Sequence, residues 1–134
     1  MKEISDLLQG IPHEIQARPY VPICVVAALH IRECLGILCN APETQFQTLL
    51  DCFATDSKMP VEDVVSPCPT QSIFYYISNI QTSERCIIKA IMQSNTIDTV
   101  SDMFPSADWF EREIFEKQHI FFNGHPNLIP IFGT

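Results

Sequence analysis

Positive charge is scarce in this chain. Its 134 residues hold eight Lys and Arg against sixteen Asp and Glu, a formal net charge of −8. Binding nucleic acid requires clustered cations that displace phosphate counterions. Here the basic residues are scattered, which excludes nucleic acid and an anionic membrane surface as direct partners. Long apolar runs are also missing. The longest, Val21 to Leu29, contains Pro22 and falls far short of the ~18 residues that span a bilayer, so no direct membrane span is expected. The start, MKEISDLLQGIPHEIQ, carries charges throughout and no continuous apolar core of a signal peptide. A soluble intracellular protein is expected. Only four glycines are present, with no G-x-G-x-x-G and no G-x-x-x-x-G-K, which leaves little scope for a phosphate-cradling loop.

Cysteine pairs at metal spacing are absent too. Cys24, Cys34, Cys39, Cys52, Cys68 and Cys86 include no C-x-x-C, the spacing most zinc and iron–sulfur sites use. In a reducing compartment these six are expected as small core hydrophobes rather than disulfides. Cys68, in a proline-bounded stretch, with His13, His30, His119 and His125 as bases, keeps a stand-alone thiol enzyme as a remote alternative. No local signature surrounds any cysteine.

Hydrophobic residues, by contrast, make up 46% of the chain and charged ones only 18%. That charged share lies below the ~25% usual for soluble domains and suggests a surface partly covered by a partner. Length and composition fit a single domain over 1–134. A short helix is expected at Lys2 to Gln9. From Ile23 to Cys39, Val25, Ala28, Leu29, Arg32, Leu35 and Leu38 recur at helical steps, all apolar but Arg32. Val21 to Val26 reads equally as a buried strand, and periodicity leaves both open. Phe46, Leu49, Leu50 and Phe53 give another apolar face at helical spacing. Ser57 to Thr70, with three prolines, reads as a loop. Ile73 to Ile77 and Cys86 to Met92 form a β-hairpin, with Cys86, Ile88, Ala90 and Met92 on its buried face. Helices flanking a small sheet predict an α+β fold.

Beyond the hairpin stands DWFEREIFEKQHIFFNGHP, Asp108 to Pro126, rich in aromatics, acids and histidines. Ser106 is placed to cap a helix over Ala107 to about Gln118, with Asp108 near its positive end. Asp108, Arg112 and Glu116 are four apart, as are Glu113 and Lys117, so an exposed ion-pair ladder accounts for most charges. Glu116-x-x-His119 matches half of a di-iron motif whose second copy and further glutamates are missing, so no metal is expected. Ile120 to Phe122 reads as extended, Gly124 as a turn, and Phe110 and Phe121 as core. Trp109 and Arg112, one helical turn apart, are residue types that anchor interfaces.

The run SDMFPSADWFEREIF, followed by IFFNGHPNL, resembles the signature of the C-type, thirty-kilodalton subunit family of respiratory complex I. Related subunits of membrane-bound nickel–iron hydrogenases share that signature. Asp108, Trp109, Glu111, Arg112, Glu113, Gly124, His125 and Pro126 match it position by position. The hairpin fits the family's paired strands, and the specific likeness covers about residues 70–130. Two places depart from the pattern: Glu116-Lys117-Gln118-His119, and Asn127-Leu128-Ile129-Pro130 after Gly-His-Pro. The resemblance implies a two-layer α+β sandwich with a small mixed or antiparallel sheet, and no cofactor or active site of its own. It implies an accessory subunit of an NADH:quinone oxidoreductase-like electron-transfer complex, peripheral to a membrane on the cytoplasmic or matrix side. Its partners would be the large catalytic subunit of complex I (the forty-nine-kilodalton type) or a hydrogenase large subunit, and an iron–sulfur small subunit. Iron–sulfur clusters, quinone or a nickel–iron centre would then sit in those partners. A formate hydrogenlyase subunit is the equivalent alternative. Trp109, Arg112 and His125 would order the helix–turn region and contact the partner.

Overall fold

A computed structural model describes residues 8, 13–16, 21–41, 44–55, 71–92 and 94–125. The first strand is β1 (His13–Gln16), then β2 (Ile23–Ala27), a single 3-10 turn and helix α1 (Ile31–Asn40). Strands β3 (Thr48–Ala54), β4 (Ser72–Asn79) and β5 (Glu84–Ile91) follow, then β6 (Thr96–Asp98), helix α2 (Ala107–Gln118) and β7 (Phe121–Asn123). Five strands make one sheet in the order β1-β2-β5-β4-β3, and β6 and β7 pair separately in parallel. Among the described strands of the large sheet only β2 and β5 run parallel, so it is mixed, one of the two forms the resemblance implied.

The register decides which side chains share a face. Cys24, Ile88, Tyr75 and Cys52 are successive partners across β2, β5, β4 and β3, and all four are buried. The next row, Val25, Lys89, Phe74 and Phe53, lies on the opposite face because side chains alternate along a strand. There Phe53 stacks on Phe74 at 5.1 Å between centroids, and the Lys89 ammonium lies 5.6 Å from the Phe74 ring. Both helices pack on the inner face. α1 buries Ile31, Cys34, Leu35 and Leu38, the i, i+3, i+4, i+7 stripe of an amphipathic helix. Each such Leu or Ile contributes roughly 1.5–3 kcal/mol of burial. The helix stops at Ala41, whose backbone is extended, because a residue preceding proline is pushed out of the helical region.

Three sequence expectations change here. Ile23 to Cys39 is a strand, then a turn, then a helix, so the strand reading of its first part prevails. Pro22 opens that strand, and its carbonyl accepts the Ile87 N–H at 2.9 Å. The Phe46 to Phe53 stretch is mainly strand β3 rather than helix. Pairing with β4 shifts register between Leu49 and Asp51, leaving Leu50 and Asp51 both outward while Leu49 and Cys52 point inward. That bulge gives inward residues three apart, which imitates a helical step. Phe121 is 46% exposed instead of in the core, because β7 turns Phe122 inward; its ring packs edge-on to Phe115 at 5.3 Å. The hairpin and α2 form where expected, and Cys86, Ile88, Ala90 and Met92 are all buried. The Lys2–Gln9 helix and the Ser57–Thr70 loop lie outside the described residues, Leu8 excepted.

Candidate functional site: the corner of α2, β6 and β7

α2 lies along the edge strand β3 and is pinned to it at both ends. The Ser106 hydroxyl donates to the Leu49 carbonyl at 2.9 Å, and the Gln118 amide donates to the Ala54 carbonyl at 3.0 Å. Ser106 therefore does not cap α2 through its side chain, as the sequence suggested; its hydroxyl is engaged on β3. These contacts occupy carbonyls of a strand that would otherwise offer an open edge. The helix ends at His119, which takes the left-handed conformation (φ 57°) and gives its N–H to the Phe115 carbonyl. The histidine of the Glu116-x-x-His119 match is thus an exposed helix terminator. Among the described residues, no group of three or more His, Cys, Asp or Glu could hold a metal ion.

Inside the corner sits Glu111, fully buried. Its carboxylate accepts the Val100 N–H at 2.9 Å and hydrogen-bonds the Thr99 hydroxyl, which joins α2 to the chain leaving β6. Burial pushes the Glu111 carboxyl up to about 7, and Asp108 and Asp102 add to that; the Thr99 and Val100 hydrogen bonds oppose it. The His125 imidazole, itself enclosed, approaches from beyond β7. Its Nε2 lies 3.0 Å from Asp108 Oδ1 and 3.9 Å from Glu111 Oε1. Gly124 makes that approach possible with φ 85°, a backbone conformation other residues adopt at a cost. Asp108 thus faces His125 from the first turn of α2. The Glu113–Lys117 rung of the expected ladder is present at 3.1 Å.

From the other side, Arg32 of α1 reaches into the same corner. Its guanidinium donates to the Thr99 carbonyl at 2.6 Å and to both Asp102 carboxylate oxygens at 2.8 and 2.9 Å. This bidentate pair holds Asp102 below the usual carboxylate range. An open pocket of about 740 Å³ lies alongside, lined by Arg32, Asp98, Thr99, Ser101, Asp102 and Gly124 among others. Trp109 is half exposed and Arg112 partly so. Pro126 lies outside the described residues. Thr99, Asp102 and Arg32 were not singled out from sequence as site residues. Arg32 did carry a signal, as the lone charge in an apolar helical stripe.

A family model for the respiratory-chain NADH dehydrogenase 30 kDa subunit matches residues 24–133. The chain belongs to that family. The C/D subunit of NADH-quinone oxidoreductase from Aeromonas hydrophila subsp. hydrophila is 31% identical to it over 116 residues, 85% of this chain and 19% of that protein. The same subunit of Pectobacterium carotovorum subsp. carotovorum is 30% identical over 116 residues, with the same coverage. This chain therefore spans about a fifth of the length of these curated relatives. Its fold is shared with the trypsin-resistant fragment of Nqo5, at a TM-score of 0.68 and 20% identity over 95% of each chain. It is shared as well with a chain of the membrane-bound sulfane sulfur reductase, an archaeal respiratory membrane complex, at a TM-score of 0.71 and 22% identity. That match covers 92% of this chain and 70% of the other. None of the described helices is long and apolar enough to cross a membrane.

Proposed function

We propose that this chain is a non-catalytic accessory subunit of a membrane-associated electron-transfer complex, docking on the large catalytic subunit of the forty-nine-kilodalton type. The observation that carries this reading is the family match, which runs over residues 24–133 and takes in the α2–β7 corner. The geometry supports it. Buried charges in the corner are engaged in internal ties, while Trp109 presents half its surface outward, as an interface anchor would. Trp109, Arg112 and Glu113 from α2 are the surface we assign to the partner, and Glu111, Gly124 and the enclosed His125 ring hold that surface from inside. On this reading the cofactors belong to partner subunits: iron–sulfur clusters, quinone, or a nickel–iron centre. The protein sits peripherally on the cytoplasmic or matrix side, beside an iron–sulfur small subunit.

Co-expression with a tagged large catalytic subunit of complex I tests the reading. Capture of this chain is expected to fall at least tenfold for Trp109→Ala and for Arg112→Ala, with thermal unfolding of each isolated variant unchanged. Undiminished capture by both variants overturns the assignment of this surface. Capture by a hydrogenase large subunit in place of the complex I one would move the chain to the nickel–iron hydrogenase or formate hydrogenlyase context.

A further inference from the structure

The hydroxyl of Thr99 occupies a double position. It stands in hydrogen-bonding geometry as a donor to Glu111 Oε1 and also as a donor to the Ser101 hydroxyl at 3.0 Å. It also accepts the Ser101 N–H at 3.1 Å. One hydroxyl has one hydrogen, so both donations cannot be made at once. Two arrangements satisfy every group. In the first, Glu111 is protonated and donates to Thr99, and Thr99 donates to Ser101. In the second, Glu111 is ionised, Thr99 donates to it, and Ser101 donates to Thr99. The arrangements differ by one proton on Glu111 and a concerted rotation of two hydroxyls. Thr99 and Ser101 both line the open pocket beside Arg32, so the chain of hydroxyls runs from the buried carboxyl to solvent.

We propose that Glu111 is a proton-binding site in exchange with the surface through Thr99 and Ser101, and that its charge sets how the His125 turn is held against α2. The groups around it define the balance. Asp108 on α2 and Asp102 after β6 carry negative charge toward it, and Arg32 of α1 offsets Asp102. The His125 imidazole lies between Asp108 and Glu111. Cys52 of β3 and Tyr75 of β4 interact with Glu111 from the sheet. An ionised Glu111 places the His125 ring beside two carboxylates, 3.0 Å from Asp108 and 3.9 Å from Glu111. A neutral Glu111 removes one of those two charges and leaves that of Asp108. The corner is therefore held differently in the two states while its backbone hydrogen bonds persist.

NMR of the full chain, carbon-13 labelled at glutamate carboxyls, tests this without any partner and so independently of the docking reading. One glutamate carboxyl is expected to titrate near 7, and that resonance should be missing in Glu111→Gln. The amides of Val100, Gly124 and His125 should move with the same midpoint and lose that movement in the variant. Thr99→Val should shift the midpoint upward, because it removes a donor to the ionised form, while Thr99→Ser should leave it in place. Titration of every glutamate near the ordinary ~4.3 overturns the site. A neutral midpoint that ignores Thr99→Val overturns the relay, and stationary amides overturn the coupling to the turn. The wild-type titration stands even if Glu111→Gln fails to fold.

Discussion

Replacing Tyr75 with phenylalanine is expected to stabilise this chain. Tyr75 lies on the inner face of β4, fully buried, and among the described residues its hydroxyl has no hydrogen-bond partner. Burial, with Cys52 and Glu111 nearby, pushes the phenol well above its ordinary range, so it stays neutral. A hydroxyl taken out of water without a partner costs ~1–3 kcal/mol in mutational series. Phenylalanine keeps the ring and its contacts and leaves a void smaller than a methyl group, a loss below ~1 kcal/mol. The gain wins by about 1 kcal/mol, which for a chain of this length raises Tm by about 4 °C. Thermal and urea unfolding followed by far-UV circular dichroism at pH 7 measure it, with an unchanged urea slope showing that the unfolding transition is the same. A Tm lowered by a similar amount refutes the reasoning. It would mean that the hydroxyl is bonded and that the space between β4 and Glu111 is organised differently.

Two more outcomes concern protons and thiols. Glu111 has a folded-state carboxyl raised from 4.5 to about 7, so its contribution to stability is fully present below 4.5 and is lost as pH rises through about 7. The loss is at most about 3 kcal/mol, and urea unfolding between pH 5 and 8 should show the decline in wild type and a flatter profile in Glu111→Gln. For the thiols, Cys24, Cys34, Cys52 and Cys86 are buried and Cys39 only partly so. Burial raises Cys52 strongly and Cys86 to about 12. Cys34 lowers Cys24 through their hydrogen bond while its own thiol is pushed up. Alkylation of the native chain should mark Cys39 well before those four, read by peptide mass spectrometry. Fast labelling of Cys24 or Cys34 would refute the burial of those two thiols.

Much of the fold could be read from local chemistry. β4 and β5 were legible because β-branched and aromatic residues lie on either side of a polar turn, and α2 because its charges recur four residues apart. β3 was not, since its bulge replaced the period of two with inward steps of three. The start of β2 was ambiguous for another reason: Ile23 to Ala27 is apolar at every position, so its alternating burial leaves no apolar–polar period to read. The corner itself was half legible. Gly124 announced its turn, and the family pattern marked Glu111 and His125. Thr99 and Asp102 carry no local signal, because their roles come from Arg32 and Glu111, 67 and 12 residues from Thr99.

Adjacent positions of the family signature serve opposite sides of the molecule. At 3.6 residues per turn, Trp109 and Glu111 point about 200° apart, so one is half exposed when the other is buried. Glu111 and His125 therefore belong with Gly124 to an interior tie that fixes where β7 leaves α2. Trp109 lies on the outward face that the tie orients. If the chain docks as proposed, loss of either kind of residue weakens assembly, yet by different routes. An interior substitution misplaces a surface it never reaches, and its effect should appear first in the unfolding of the isolated chain. An outward substitution leaves that unfolding intact. Comparing the two readouts for Glu111→Gln and Trp109→Ala separates a structural signature from a binding one.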